Sequence, residues 1–91
     1  MFTNEDARLL GALISHQHHD DLLDAINSNN TTVVTNLVNG AIAFNKSALH
    51  FHRTIGNTFS QERNKDDITK LEEFKSQKLS NPKIEELLSL N

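Results

Sequence analysis

The fold is decided by residues 31–61, which read TTVVTNLVNGAIAFNKSALHFHRTIGNTFSQ. Apolar side chains recur in this stretch every three or four residues, which is the spacing of one face of an α-helix. They fall within one half of a helical wheel: Val34, Leu37, Val38, Ala41, Ile42, Ala48, Leu49, Ile55 and Phe59, with Val33, Phe44 and Phe51 at its margin. The stretch therefore predicts a long amphipathic helix from about residue 32 to residue 61.

Local propensity within the same stretch leaves two alternatives open. The pair Val33-Val34 favours a strand, so a short β-segment at 31–35 is one alternative. Glycine weakens a helix interior, so the helix could instead break near Gly40 or Gly56. The periodic pattern extends over many turns, and we therefore expect a helix despite these local preferences.

The length of the predicted helix favours an oligomer. At 1.5 Å per residue the helix would span roughly 45 Å, whereas a compact chain of this size has a diameter of roughly 30 Å. Its apolar face is also wider than a helix on a single-chain core needs. We therefore expect the helix to cover that face with another subunit. The alternative is a monomeric bundle in which this helix runs through the centre.

Shorter helices are predicted on both sides of the long one. Residues 1–28 are expected to form a helical pair with a break at 16–21, because the apolar residues before and after the break would otherwise face opposite directions. The central helical segment is assigned to 31–62, and a polar joint at 61–65 follows it. Short helices are expected over 66–90, with apolar residues at helical spacing.

Capping residues give the expected start of each helix. The first helix is expected to start at Thr3, in a capping box with Asp6, and the second at Asp20 or Asp21. The expected caps of the later helices are, in chain order, Thr31 or Thr32, Asp66 or Asp67, and Asn81 before Pro82. The predicted fold class is all-α: one domain, built as a small bundle of four to five helices around the long central helix and completed by oligomerisation.

The composition excludes several classes of function. The 91 residues carry a net charge of −3, are 36% hydrophobic and include no cysteine. Without cysteine, disulfides, thiolate nucleophiles and Cys-ligated zinc are excluded. An acidic chain is a poor nonspecific ligand for nucleic acid, so nucleic acid is not the expected partner. The glycines are isolated and no serine lies in a nucleophile-elbow context, so we expect neither an enzyme nor a cofactor.

The sequence also indicates where in the cell the protein is expected. No apolar run approaches the roughly 20 residues that a bilayer-spanning helix needs. Residues 1–6 are acidic, whereas a secretory leader would be basic and then apolar. We expect a cytoplasmic protein with no membrane partner.

The wide apolar face of the long helix is the candidate interface. Asn45 within it could fix the register and the number of subunits, or it could lie at the edge and reach water. His52 is expected to be a hydrogen-bonded histidine of the core or interface. The predicted interface residues are Leu37, Val38, Ile42, Asn45, Leu49, His52, Ile55 and Phe59.

Two polar groups are further candidates. Lys46, His50, Arg53 and Asn57 follow one another at helical spacing and form a ridge that could bind an anion, although an ordinary solvated face has the same pattern. His16, His19 and Asp20 would share one face if that segment were helical, a geometry that can hold a divalent metal. A solvated junction between two helices is the simpler interpretation of that cluster.

We therefore predict a non-enzymatic regulatory, adaptor or inhibitor protein that binds other proteins through an oligomeric helical surface. Its expected partners are a second copy of itself, as a homodimer or higher oligomer, and another protein. Small acidic helical proteins of this kind are often encoded by bacteria, phages or plasmids, which is an argument from class. The alternatives are a module that binds anionic ligands or nucleic acid through Lys46, His50 and Arg53, and a metal-binding helical protein.

Overall fold

The computed structural model describes residues 1–79, and these residues form four α-helices and no strand. In chain order the helices are α1 (Asn4–Leu13), α2 (His19–Asn27), α3 (Thr31–Thr54) and α4 (Thr58–Phe74). A 3₁₀ turn at His16–His18 joins α1 to α2, and a π-helical segment at Lys75–Leu79 follows α4. The all-α class is confirmed, and 31–35 is the first turn of α3 rather than a strand. The helix predicted around Asn81, Pro82 and residues up to 90 lies outside the described residues.

The N-terminal pair has the predicted capping box and the predicted break. Thr3 and Asp6 exchange two hydrogen bonds: the Thr3 amide donates to Asp6 Oδ2 at 2.9 Å, and the Asp6 amide donates to Thr3 Oγ1 at 3.2 Å. α1 ends at Leu13, and α2 begins at His19 without a side-chain cap. The expected caps Asp20 and Asp21 instead occupy the first turn of α2, where their negative charges suit the positive end of the helix.

The N-cap of α3 lies one residue before the first of the two expected caps, Thr31 and Thr32. The Asn30 side chain accepts a hydrogen bond from the Val33 amide at 3.2 Å, so Asn30 is the N-cap and Thr31 is already helical. Asn29, just before it, has φ of 54°, a left-handed conformation that asparagine tolerates better than most residues. The two asparagines together reverse the chain between α2 and α3.

The long helix ends at Thr54, and the extension predicted to residue 61 is wrong. Gly56 has φ of 74°, a left-handed conformation that glycine adopts without steric cost. Its amide donates to the carbonyl of Arg53 at 3.2 Å, and the Asn57 amide donates to the carbonyl of His52 at 2.9 Å. These two bonds form a Schellman motif, which satisfies the last carbonyls of the helix. Of the two glycines considered, the break is therefore at Gly56, while Gly40 lies inside α3.

α4 begins directly after this turn. The Asn57 side chain accepts from the Ser60 amide at 3.1 Å and caps a helix that continues through 61–65. The polar joint predicted there, and the caps predicted at Asp66 or Asp67, are wrong. Asn57 supplies the capping oxygen earlier in the chain, and polar residues extend a helix as long as one of its faces remains apolar. α3 and α4 thus form an antiparallel helical hairpin.

The core lies at the end of this hairpin where α3 begins and α4 ends. α1 and α2 cover that end and contribute to one cluster of buried apolar side chains. Its members are Leu10, Ile14, Leu22, Ala25, Val34, Val38, Ile42, Leu71 and Phe74. The opposite end of the hairpin, around the turn at 55–57, is not covered by α1 or α2. The described part is accordingly flat and elongated, with extents of 46 × 34 × 17 Å.

Contacts between the two ends of the described chain close the fold. The ring of Phe2 stacks on the ring of Phe74, with centroids 6.3 Å apart. Lys78 Nζ lies 3.6 Å from Oδ2 of Asp6, which is mostly buried and also closes the capping box. These two contacts hold the N-terminal residues of the chain against the C-terminal end of α4 and the segment that follows it.

Candidate functional site

The apolar face of α3 is covered along its first half and only partly covered along its second. In the first half, Val33, Leu37 and Ala41 pack against the core cluster. In the second half, Phe44 is 72% exposed, Phe51 is 58% exposed and Ile55 is 57% exposed. These three side chains follow at steps of seven and four residues, so they lie along one side of the helix.

A fourth exposed apolar side chain lies just beyond the turn, on α4. Phe59 lies in the first turn of α4 and is 75% exposed. We refer to Phe44, Phe51, Ile55 and Phe59 as the exposed apolar face. Solvated aromatic side chains in a group are uncommon on the surface of a monomer and are typical of binding surfaces.

A groove extends this face toward the core. It has a volume of about 680 Å³ and lies between α3 and the segment where α1 passes into the 3₁₀ turn. Leu13 and Ile14 form one wall, and Leu37, Gly40 and Phe44 form the other. A Cβ placed on Gly40 would meet nothing within 4 Å, so the groove is open above this residue. The groove and the exposed apolar face share Phe44.

A buried polar network fixes α4 against α3. Asn64 Oδ1 lies 2.7 Å from His52 Nδ1, and Asn64 Nδ2 donates to Asn45 Oδ1 at 3.2 Å. Asn45 Nδ2 in turn donates to the carbonyl of Ala41 at 2.9 Å. Within the described residues no buried side-chain nitrogen or oxygen lacks a partner. The network therefore sets the register of the hairpin at little energetic cost.

The predicted interface residues separate into an internal and an external group. Val38, Ile42 and Asn45 are buried by the chain's own helices, and Leu37, Leu49 and His52 are half-buried. Ile55 and Phe59 are exposed. Asn45 takes part in the polar network between α3 and α4, and His52 is the hydrogen-bonded histidine that was expected. A partner could reach the exposed and half-buried residues, but not Val38, Ile42 and Asn45 unless the hairpin opened.

The structure separates Asn57 from the other three residues of the predicted anion ridge, whose binding of an anion stays a prediction. Lys46, His50 and Arg53 are exposed on α3, but Lys46 Nζ lies 3.6 Å from the Glu72 carboxylate on α4. Asn57 lies beyond the left-handed Gly56, and its side chain caps α4. An anion would compete with Glu72, and one of the four expected ligands points elsewhere. The structure gives this ridge no support as a binding site.

Acidic and basic side chains on α4 pair with each other in a similar way. The Asp66 carboxylate accepts a hydrogen bond from Lys70 and raises the pKa of that amine, chiefly through the hydrogen bond and secondly through its charge. Both side chains are exposed to water, so the pair is typical of a solvated helix surface.

The predicted metal ligands are not gathered into a metal site. His16 opens the 3₁₀ turn and His19 opens α2, with their rings edge to face at a centroid distance of 4.8 Å. His19 Nε2 lies 3.0 Å from the carbonyl of Ile14, so this ring nitrogen covers the end of α1. In the part of the chain that the structure describes, no three His, Asp or Glu side chains lie close enough to hold a metal ion. Asp20 belongs to α2 and does not complete a set with the two rings.

The sequence pattern pointed to some of the residues of this site and not to others. Phe44 and Phe51 were placed at the margin of the apolar face, and their exposure follows from that position once the hairpin is formed. Asn64 gave no signal, because 61–65 reads as polar throughout. Its role depends on Asn45 and His52, which lie on another helix.

The comparisons with known proteins give no further assignment: no family model matches the chain, and no curated protein or solved structure matches it either. Among residues 1–79, no helix is both long enough and apolar enough to cross a membrane.

Proposed function

We propose that this chain is a non-enzymatic interaction protein, a small regulator, adaptor or inhibitor that works by binding other proteins through the exposed apolar face. The observation that carries the proposal is the exposure of Phe44, Phe51, Ile55 and Phe59 on one hairpin. Three of the five phenylalanines of the chain are therefore largely in water.

The energetic reason is the cost of leaving such side chains solvated. A phenylalanine transferred from water to an apolar environment gains roughly 1.5–3 kcal/mol, so covering several of them favours association. Aromatic side chains dominate the binding energy of most protein interfaces. The same hairpin is held rigid by the network of Asn45, His52 and Asn64. A rigid surface loses little conformational entropy on binding.

The chemistry of the face indicates the kind of partner. An elongated apolar stripe on a helix suits another amphipathic helix, which can lie along it or complete the bundle. Because the stripe lies on α3 and the first turn of α4, the partner helix would contact the hairpin near its turn. The proposed partners are a second copy of the chain and another protein.

A capture experiment with matched variants tests this function. Wild-type protein and the variants Phe59→Ser, Phe51→Ser and Leu23→Ser would each be used to capture proteins from the native host. Leu23 is half exposed on α2, away from the face, so Leu23→Ser is the control for loss of an exposed apolar side chain. Each captured protein would be purified and its affinity measured again with the purified variants.

The expected result is a partner whose dissociation constant rises by roughly tenfold or more with Phe59→Ser or Phe51→Ser and stays unchanged with Leu23→Ser. A partner that binds all four proteins equally would contradict the exposed apolar face as the binding surface. A screen in which no purified partner binds the wild type would contradict the proposed function itself.

A further inference from the structure

The exposed side of α3 alternates large and small residues at heptad spacing. Leu37, Phe44 and Phe51 follow one another at every seventh position. Gly40, Ser47 and Thr54 do the same, displaced by three positions, and all three of these small residues are exposed. Positions three and four apart lie side by side on a helix, so the six residues form one continuous seam. We call these six residues the α3 seam.

We infer, on the basis of the proposed function, that the occupant of the α3 seam is a second copy of this chain, with the two α3 helices packed antiparallel. In the register that places Phe51 of one copy opposite Gly40 of the other, every layer pairs a large residue with a small one. The layers are Leu37 with Thr54, Gly40 with Phe51, and Phe44 with Ser47, and each occurs twice about a two-fold axis.

Steric fit selects the antiparallel orientation. Helices pack closely when large side chains of one enter the spaces beside small side chains of the other. In a parallel pair in register, Phe44 would face Phe44 and Gly40 would face Gly40, so tight layers would alternate with empty ones. In the antiparallel pair every layer combines a large residue with a small one, so no layer is overcrowded and none is left empty.

The groove over Gly40 is the space that this register requires. It is open above Gly40 and is walled by Leu13, Ile14 and Phe44, so it offers apolar contacts to an incoming ring. Phe51 is 58% exposed in the single chain and is the residue placed opposite it. Insertion of Phe51 from the second copy would bury the ring against Leu37 and the end of α1.

Charge complementarity favours the same orientation. α3 contains no acidic residue, and its charged side chains Lys46 and Arg53 lie in its second half together with His50. Beside the first half of α3, Asp21 and Asp24 of α2 line a shallow depression that adjoins the seam. In the antiparallel register Arg53 of one copy lies level with Val38 of the other, at the end that carries these carboxylates, whereas Lys46 lies near the two-fold axis. In a parallel pair Arg53 would lie level with Arg53 of the other copy.

The paired segment leaves part of the exposed apolar face uncovered. Thr54 is the last residue of the α3 seam, and Phe59 lies beyond it in α4. The dimer therefore presents Phe59 twice, at its two ends, to another partner. Phe59→Ser therefore tests partner capture without changing the α3 seam, so capture and self-association can fail separately.

A swap of large and small residues tests the register. Analytical ultracentrifugation of the full chain would measure the dimer dissociation constant of the wild type, Gly40→Phe, Gly40→Phe/Phe51→Ala and the control Asn39→Phe. Asn39 is exposed on α3 but lies outside the seam, so Asn39→Phe adds the same ring where it meets no second copy. Circular dichroism would confirm that each variant keeps its helices, as the open space at Gly40 allows.

The wild type and Asn39→Phe are expected to form dimers of equal affinity, and Gly40→Phe is expected to raise the dissociation constant by about tenfold or more. Gly40→Phe/Phe51→Ala should recover most of that loss, because the ring added at position 40 then faces a small residue. A wild type that stays monomeric at every concentration would overturn the inference, as would a double variant weaker than Gly40→Phe. Neither outcome bears on capture through Phe59.

Spin labels test the orientation, since the chain has no native cysteine. In the proposed register two labels at Thr32→Cys are about 40 Å apart along the helix axis, whereas two labels at Lys46→Cys are almost level, at 1.5 Å rise per residue. Electron–electron distance measurements should therefore give a much longer distance at position 32 than at position 46. Equal distances at the two positions would indicate a parallel pair and overturn the antiparallel arrangement.

Discussion

At the scale of the residue, Asn64 joins the two long helices through its side chain. Its amide group bridges Asn45 and His52, which lie two turns apart on α3. An asparagine side chain provides both a donor and an acceptor, so one residue satisfies a donor on one neighbour and an acceptor on the other. The network is largely buried, and removing its centre leaves groups that water cannot easily reach.

We expect Asn64→Ala to lower the free energy of unfolding by about 1–3 kcal/mol, because Asn45 and His52 then lose their partner inside the hairpin. Urea denaturation at one fixed protein concentration would measure the loss. The control is Asn39→Ala, an exposed asparagine on α3, which should change stability by less than about 0.5 kcal/mol. Equal effects of the two substitutions would show that the network contributes nothing to stability.

At the scale of secondary structure, the turn at Gly56 separates α3 from α4. Periodicity alone predicted one helix through this point, because Ile55 and Phe59 continue the apolar half of the wheel. The pattern records which side chains are apolar and carries no information about the backbone angle at Gly56. Because the chain reverses there, Ile55 and Phe59 lie outside the core, and both side chains are exposed although the pattern places them on the apolar half.

Local signals were more successful where they depend on few residues. The capping box of Thr3 and Asp6 and the break between α1 and α2 follow from neighbouring residues, and both are present. The sequence pattern did not identify Asn30 and Asn57 as N-caps and favoured nearby Thr and Asp residues instead. Asn, Thr and Asp side chains can all accept the capping hydrogen bond from a backbone amide of the first turn. The choice between them depends on where the preceding turn ends.

We expect Gly56→Ala to destabilise the protein by about 1–2 kcal/mol, because an alanine at positive φ is strained. Gly11→Ala is the matched change inside a helix: its added Cβ meets nothing within 4 Å, and alanine favours helix. That variant should gain roughly 0.5–1 kcal/mol. Thermal unfolding followed by circular dichroism would compare the two, and a Gly56→Ala variant as stable as Gly11→Ala would contradict the left-handed turn.

At the scale of the whole molecule, the four helices of residues 1–79 share a core placed toward one end of the hairpin. Val34 and Val38 belong to the predicted apolar half of α3 and are buried, as are Leu71 and Phe74 of α4. The sequence did not predict that α1 and α2 would cover only one end. That asymmetry arises from the tertiary arrangement of four helices, and it leaves the aromatic side chains near the turn exposed.

Adjacent leucines in α1 test whether the N-terminal helix belongs to this core. Leu10 is fully buried and Leu9 is 36% exposed. We expect Leu10→Ala to cost about 2–5 kcal/mol and Leu9→Ala under about 1 kcal/mol, because only the first leaves a cavity. Urea denaturation of the two variants would measure the difference. Similar small losses would show that α1 does not share the core of α3 and α4.

The turn at Gly56 also has a kinetic consequence. It joins the two longest helices through residues 55–57, so their mutual contacts lie close together along the chain and can form with little loop-closure entropy. The contact of Phe2 with Phe74 must instead close a loop of about 70 residues, which costs more entropy. We therefore expect the hairpin to assemble early in folding and α1 to dock late, so that the aromatic side chains near the turn are already displayed before the core is complete.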